Sequence, residues 1–314
     1  MAPLLEVSDL RRSFGSVVAV DGVSFEISAG EVFGLLGPNG AGKSTTMTML
    51  CGLLPVTSGR IMLDGRNIEA GSRKARQSLG YVPQDLAIYP DLTAEENLSF
   101  FGSLYNLSGT RLRQRVDQAL SQAGLATRRN DAAGTFSGGM KRRLNFAASV
   151  LHRPRLLILD EPTVGVDPQS RTHLLDCVRT VQQQGAAVIY ASHYMDEVHA
   201  ICSRVAVMDH GKILICDELS ELIAGVPREI ELVVPVSTAA ENLVLPESAT
   251  TSITESGLSI RLADRPSSRH SLNHRLAQLM TRLSDQNIPL IHIRTHESSL
   301  ERLFLKLTGS RLRD

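Results

Sequence analysis

The chain lacks several features at once, and each absence removes a class of function. Nowhere in its 314 residues do 18 apolar residues run uninterrupted, so no segment is expected to span a bilayer. The opening MAPLLEVSDLRRSFG has no basic region followed by an apolar core, and no signal peptide is expected from it. Neither charge sign is in surplus: 33 Lys+Arg stand against 33 Asp+Glu, which removes the electrostatic case for bulk nucleic-acid binding. The four cysteines, Cys51, Cys177, Cys202 and Cys216, show no C-x-x-C spacing and no histidines at zinc-finger intervals. They read as reduced, mostly buried thiols of a cytosolic protein. A chain of this kind serves a membrane process only through a partner.

What is present begins with residues 32–49, VFGLLGPNGAGKSTTMTM. A short apolar run ends in glycines and a Lys-Ser pair follows, so Gly37, Gly42, Lys43 and Ser44 fill G-x-x-x-x-G-K-[ST], the phosphate-binding P-loop. Across Gly37, Pro38, Asn39, Gly40, Ala41, Gly42, Lys43, Ser44 and Thr45, glycines let backbone N–H groups approach phosphate oxygens with no Cβ in the way. The helix expected from Ser44 turns the positive end of its dipole to the same anion. Lys43 can reach the β- and γ-phosphates of a nucleotide, and the Ser44 hydroxyl can sit on Mg²⁺. The competing reading is a Gly-rich turn formed by chance, against which stand the strand before and the helix after.

The rest of the chain supplies an α/β context. Short strands are expected at 4–7, 17–20 and 23–27, with Asp21-Gly22 as a hairpin turn. A helix over 44–53 is stopped by Pro55, and strands follow at 61–63, closed by Asp64-Gly65, and at 79–82. From about 85 to 135 the periodicity becomes helical. Thr93 and Glu96 form a capping box, and 110–123 carries Leu112, Val116 and Leu120 on one face. Strands at 156–159, 187–191 and 204–208 then alternate with helices at 139–152, 170–184 and 195–202. Two-sided apolar strands between helices indicate a parallel sheet covered on both faces. The pattern breaks at Gly225-Val226-Pro227, where a domain boundary is expected. Strands at 229–234, 258–262 and 288–293, with helices near 271–283 and 298–308, suit a small α+β domain of ferredoxin-like order with a regulatory or dimer-forming role.

Two further motifs carry chemistry. Residues 156–161, LLILDE, set two acids at the carboxyl end of an apolar strand. Asp160 can hold Mg²⁺ through water and Glu161 can take a proton from an attacking water, though two adjacent carboxylates also suit a solvated turn. Ser137-Gly138-Gly139 opens a helix bearing Lys141, Arg142 and Arg143, a second anion cradle that is weak by itself because such loops are common.

In this order the pieces resemble the ATP-binding subunit of ABC transporters. The match covers roughly 4–222 through GPNGAGKST, YVPQ, FSGGMKRR, LLILDEPT, GVDP and ASH. The resemblance implies a P-loop NTPase core of the RecA type, an antiparallel β subdomain and a helical insertion, within an ATP-binding domain at 1–225, followed by an accessory domain at 226–314. It also implies that Ser137, Gly138 and Gly139 are the signature loop and that Gln84 is the Q-loop glutamine, near Mg²⁺ and the attacking water. Asp167 then belongs to the D-loop, His193 is the switch histidine at the γ-phosphate, and Phe14 stacks on adenine where the family most often has Tyr. Taken singly, His193 also suits a capping residue and Phe14 simple core. Met140 and Phe136 depart from the usual Gln and Leu, but neither supplies the phosphate contacts.

PTVGVDPQSR, SHYMDEV and the C-terminal SSLERLFLKLTG look like the drug- and antibiotic-exporting branch that includes the daunorubicin-resistance ATPases. The implied assembly is a homodimer with two shared ATP sites, peripheral on the inner face of the cell membrane. Its helical insertion touches an integral-membrane permease, and no nucleic acid takes part. The alternative within the family is a soluble ABC ATPase of translation or DNA repair. Against it stand the single P-loop and the missing heptad run; a P-loop kinase would lack the Ser-Gly-Gly signature.

Overall fold

A computed structural model describes residues 2–68, 76–237, 240, 243–264, 268 and 270–309. The chain divides into two compact units, one formed by residues 1–219 with 304–314 and the other by 220–303.

The first unit contains two sheets. Strands β1 (Leu5–Phe14), β2 (Val17–Ile27), β4 (Ser58–Leu63) and β5 (Arg66–Asn67) form an antiparallel sheet in the order β2-β1-β4-β5. The hairpin turns at Gly15, in the left-handed region at φ +58°. Asp21-Gly22 is therefore not the turn expected from sequence. Those residues lie inside β2, where register shifts mark a bulge opposite Leu10 and Arg11, and Gly22 takes its φ of +75° there. Arg11 pairs with both Asp9 and Asp21, so the Asp that read as a turn former serves an ion pair across the strands.

The second sheet runs β10-β9-β3-β8-β7-β6, from β3 (Val32–Leu36), β6 (Leu79–Val82), β7 (Leu156–Asp160), β8 (Ala187–Ala191), β9 (Arg204–Asp209) and β10 (Lys212–Glu218). All neighbours are parallel except the β9–β10 hairpin. Every residue of β3, β7 and β8 is buried, as strands covered on both faces require. Helices α1 (Lys43–Leu50), α4 (Gly138–Val150), α5 (Pro168–Gln183) and α6 (Met195–Ile201) complete the α/β pattern. Between β6 and α4 the chain makes a helical arm of α2 (Ala94–Leu104) and α3 (Gly109–Gln122) with its own core around Leu98, Val116, Leu120 and Leu144. Thr93 and Glu96 form the capping box at the start of α2. The neck of the arm closes where the Ala133 amide donates to the Leu92 carbonyl at 2.9 Å and the Ala94 amide to that of Asp131 at 3.2 Å.

In the second unit, β11 (Glu229–Val234), β12 (Ala249–Thr254), β13 (Gly257–Ala263) and β14 (His292–His296) form an antiparallel sheet in the order β12-β13-β11-β14. That is the strand order of a ferredoxin-like sheet. Ile230, Leu232, Val234, Ile260 and Leu262 pack with Leu279 and Leu283 of a helix at Leu272–Asp285. The last strand begins at His292 rather than 288: Ile288 is used in that core, and Pro289 has no amide to donate to a ladder.

Candidate functional site

The sheet order decides which loops meet. β8 lies between β3 and β7, and its last residue, Ala191, is the register partner of Leu35 on one side and of Asp160 on the other. Three parallel strands therefore end level with one another. They release the P-loop, the Ser192-His193 step and the Asp160-Glu161 pair side by side at their carboxyl ends. The acidic strand is one place further from the P-loop than adjacency would put it, and the strand between them delivers His193.

Within the loop, the glycines are required by close approach. A Cβ on Gly42 would lie 2.5 Å from the Ala19 carbonyl oxygen, and Gly42 holds φ +100° as the N-cap of α1. One on Gly37 would be driven into the carbonyl of Met208. Lys43 is 7 % exposed, and its ammonium donates to the Gly37 and Pro38 carbonyls at 2.7 and 3.0 Å. Burial lowers its pKa, opposed by the charges of Glu161 and Asp160. Asp160 is also buried; desolvation pushes its carboxyl up, while a hydrogen bond from the Ser44 side chain and the Lys43 charge hold it down. An ammonium and a carboxylate kept this dry, with the Ser44 hydroxyl between helix and strand, form a donor and acceptor set that fits a nucleotide triphosphate and a hard divalent cation.

Glu161 is the meeting point of three loops. Its backbone is in the left-handed region at φ +49°, where a non-glycine residue costs about 1–2 kcal/mol, and its amide is held by the Ala191 carbonyl at 3.0 Å. The Gln84 carboxamide donates to one carboxylate oxygen at 3.4 Å, and His193 Nδ1 lies 3.4 Å from the other. His193 does not cap the helix that follows, because the N-cap of α6 is Tyr194. Gln84 is fixed from behind: Arg142 of α4 donates to its carbonyl, and the Asn145 carboxamide oxygen accepts from the Ala87 amide at 3.2 Å.

Sequence reasoning missed what holds the His193 loop. Glu197, 2 % exposed, accepts through one carboxylate oxygen from Thr163, Tyr190 and Ser192 hydroxyls at 2.8, 2.7 and 2.8 Å. Arg171 lies 3.2 Å from the other oxygen, an ion pair without hydrogen-bond alignment, and its guanidinium covers the Tyr194 ring at 4.5 Å. The Ser192 oxygen in turn accepts the Tyr194 amide at 3.0 Å, which closes a clamp around His193. A carboxylate one turn into a helix gives no such signal in sequence, since its partners come from β7's end, β8 and α5.

The signature residues gather elsewhere. Ser137 is the N-cap of α4 and accepts the Met140 amide at 3.2 Å; both Ser137 and Gly138 are exposed. Gly139 is buried, and a Cβ on it would lie 2.6 Å from Ser170 Cβ and 2.9 Å from Asp167 Oδ2. Asp167 caps α5 by accepting the Ser170 amide, which lowers its pKa. Phe14 ends β1 with 47 % of its surface exposed, so it is not core; the Arg12 guanidinium sits 4.6 Å above its ring.

Comparison with known proteins gives the family. A family profile described as "ABC transporter" matches residues 20–164. The linearmycin resistance ATP-binding protein of Bacillus subtilis is 40% identical over 314 residues, 99% of this chain and 100% of that protein. The chain belongs to the ABC transporter family as an ATP-binding subunit. The Nod factor export ATP-binding protein I of Paraburkholderia xenovorans is 34% identical over 99% of this chain and 98% of its own. Among solved structures, cbiO1 of Clostridium perfringens, part of the ABC transporter complex cbiONQ, superposes with a TM-score of 0.66 at 32% identity, over 72% of this chain and 92% of that one. An ATP-binding subunit of this family is an ATPase whose hydrolysis is coupled to transport and which works with a membrane partner. Among the described residues no helix is long and apolar enough to cross a membrane itself.

Proposed function

We propose that this subunit energises an exporter of drugs, antibiotics or lipid-like molecules by closing as a head-to-tail homodimer on two ATP molecules. The observation that carries the reading is the asymmetry of the site. Lys43, Ser44, Asp160, Glu161, Gln84 and His193 gather at the ends of four parallel strands, whereas the Ser137 loop is exposed at the start of α4 among a separate set of residues. One chain then offers two half-sites, and a second copy completes each of them. ATP, a tetraanion, joins the halves through charge-assisted hydrogen bonds, and loss of the γ-phosphate releases them.

In the hydrolytic half, the Lys43 ammonium exchanges the Gly37 and Pro38 carbonyls for phosphate oxygens. Ser44, Asp160 and Gln84 would hold Mg²⁺, which when bound neutralises phosphate charge. Glu161 takes the proton of the attacking water, His193 and Gln84 orient that water and the γ-phosphate, and Phe14 supplies an exposed ring for adenine.

The arm supports a permease-docking role. Leu53, Leu86, Tyr89, Phe100 and Leu104 are exposed apolar residues, and Leu53 lines a groove of about 190 Å³ together with Tyr81, Phe101 and Tyr105. Asn97 fastens the near wall: its carboxamide accepts the Tyr89 amide and donates to the Tyr89, Leu92 and Thr93 carbonyls. Through Ala87, Asn145 and Arg142 the same wall is tied to Gln84, so the phosphate state at Glu161 and the groove share one hydrogen-bonded path. The functional division at 225/226, with an accessory role for 226–314, belongs to the same reading. The test is a Glu161→Gln variant purified with magnesium and ATP. It should sediment as a dimer holding two nucleotides; a monomer under those conditions refutes the composite site.

A further inference from the structure

The amino end of β7 opens onto a cleft on the side of the sheet away from the strand ends that carry Asp160 and the P-loop. Its volume is about 520 Å³, the size of a small-molecule pocket. Arg115, Gln118 and Gln122 of α3 form one wall; Arg153 and Arg155 in the turn before β7, and Gln184 after α5, form the others. Pro154 and Val181 contribute apolar surface.

The charges of this cleft are all of one sign. No carboxylate lines it among the described residues. Arg155 is paired with Asp64, but Arg115 and Arg153 have no acidic partner among the described residues. Arg115 is half-buried, and burial together with the nearby Arg153 and Arg111 charges lowers its pKa, which marks a guanidinium short of counter-charge. The turn that presents Arg153 is closed by its own amide donating to the Val150 carbonyl at 2.9 Å, with Arg153 at φ +58° ahead of Pro154. Arg153 thus leaves from a hydrogen-bonded corner of the backbone rather than a loose loop. Guanidinium forks match tetrahedral oxyanions in two-point contacts, and the three carboxamides add neutral donors around them.

We propose that this cleft binds a compact phosphate-bearing anion, either a free polyphosphate or the phosphate headgroup of a lipid, which braces α3 against the core. Occupancy would join the arm that carries the proposed permease groove to the turn entering β7, so the ligand stiffens the arm from the side opposite the ATP.

Pyrophosphate titrated calorimetrically into the full chain tests this, with the P-loop first saturated by magnesium and a non-hydrolysable ATP analogue. One further equivalent should bind and slow hydrogen exchange across 109–122. The paired change Arg115→Gln, Arg153→Gln should weaken that binding about tenfold or more, and the Arg→Lys pair, which keeps the charge but loses the fork, should fall between the two. If the glutamine pair melts well below wild type, Arg153→Gln alone, at an exposed turn, serves as the readout. Vesicles of phosphatidylglycerol and of phosphatidylcholine separate the sources. Arginine-dependent capture by the former only assigns a lipid headgroup; pyrophosphate binding without such capture assigns a free polyphosphate. No saturable pyrophosphate binding together with no arginine-dependent vesicle capture overturns the proposal, as does pyrophosphate affinity unchanged by the arginine substitutions.

Discussion

The two regions proposed to meet phosphate are built on opposite principles. Around Lys43 and Glu161 the charged groups are buried or half-buried and held by their own chain: an ammonium donating to two carbonyls of its own loop, a carboxylate on a left-handed backbone, a histidine loop clamped through Glu197. Around Ser137 there is an exposed helix start, capped by its own hydroxyl and packed from beneath through Gly139 against Ser170. On the proposed reading, preorganisation sits where the phosphate bond would be broken, and accessibility where a second chain would arrive. Breaking either region should therefore give a different failure.

The largest effect is expected at Glu161. Glu161→Gln keeps the size and the approach to Gln84 and His193 but removes the proton acceptor, so phosphate release should fall by about 10²–10⁴-fold while nucleotide affinity stays near wild type. Measured hydrolysis within a factor of two of wild type would remove Glu161 from the role of base. Lys43→Ala comes next. It deletes the one buried ammonium of the loop, and nucleotide affinity should drop about tenfold to a hundredfold in equilibrium binding, with dimerisation lost as a consequence.

The signature half should fail without loss of nucleotide. Gly139→Ala places a methyl 2.6 Å from Ser170 Cβ, so α4 must shift against α5 at a cost of about 1–3 kcal/mol. Nucleotide binding to the single chain should survive while ATP-dependent dimerisation and hydrolysis fall. Ser170→Gly in the same chain vacates that space, keeps the amide that Asp167 accepts, and should recover a measurable part of both. Equal loss of monomer nucleotide binding in Gly139→Ala would mean that the halves are not separate.

How much of this was written in the sequence depends on whether a residue acts through its neighbours in the chain or across it. The P-loop was legible because its residue types fall at fixed spacing within nine consecutive positions, even though the carbonyls that crowd positions 37 and 42 belong to the distant Met208 and Ala19. The capping box at Thr93 and the strand at 187–191 were legible for the same reason: spacing within a few residues decides them. Asp21-Gly22 misled because the same dipeptide suits a hairpin turn and a bulge, and only the cross-strand pairing of Arg11 with Asp21 selects the bulge. The place of β8 between β3 and β7, and the arrival of Thr163 and Arg171 at Glu197 from other parts of the chain, are properties of strand order. No window of sequence contains them.

The smallest expected effect on activity concerns the joint between the two regions. Just past the end of α4, whose start is the Ser137 loop, His152 stacks on Tyr105 of the arm at 3.5 Å between ring centroids, and its Nε2 donates to the Leu79 carbonyl in the strand that leads toward Gln84. Burial pushes its pKa down to about 4, with the Leu79 hydrogen bond opposing. The sign of the consequence follows from the lowered value. Above about pH 6.5 both folded and unfolded chains keep this ring neutral; below it the unfolded chain takes up a proton that the folded one refuses until about pH 4. Stability should therefore fall across that window, by up to about 3 kcal/mol from this one group. His152→Gln can still donate to Leu79 but cannot titrate, so its melting temperature should gain on wild type as pH drops from 7 toward 4.5. Parallel melting curves for the two chains over that range would show that the joint is solvated enough to accept the proton, and that α4 couples the two half-sites by packing alone.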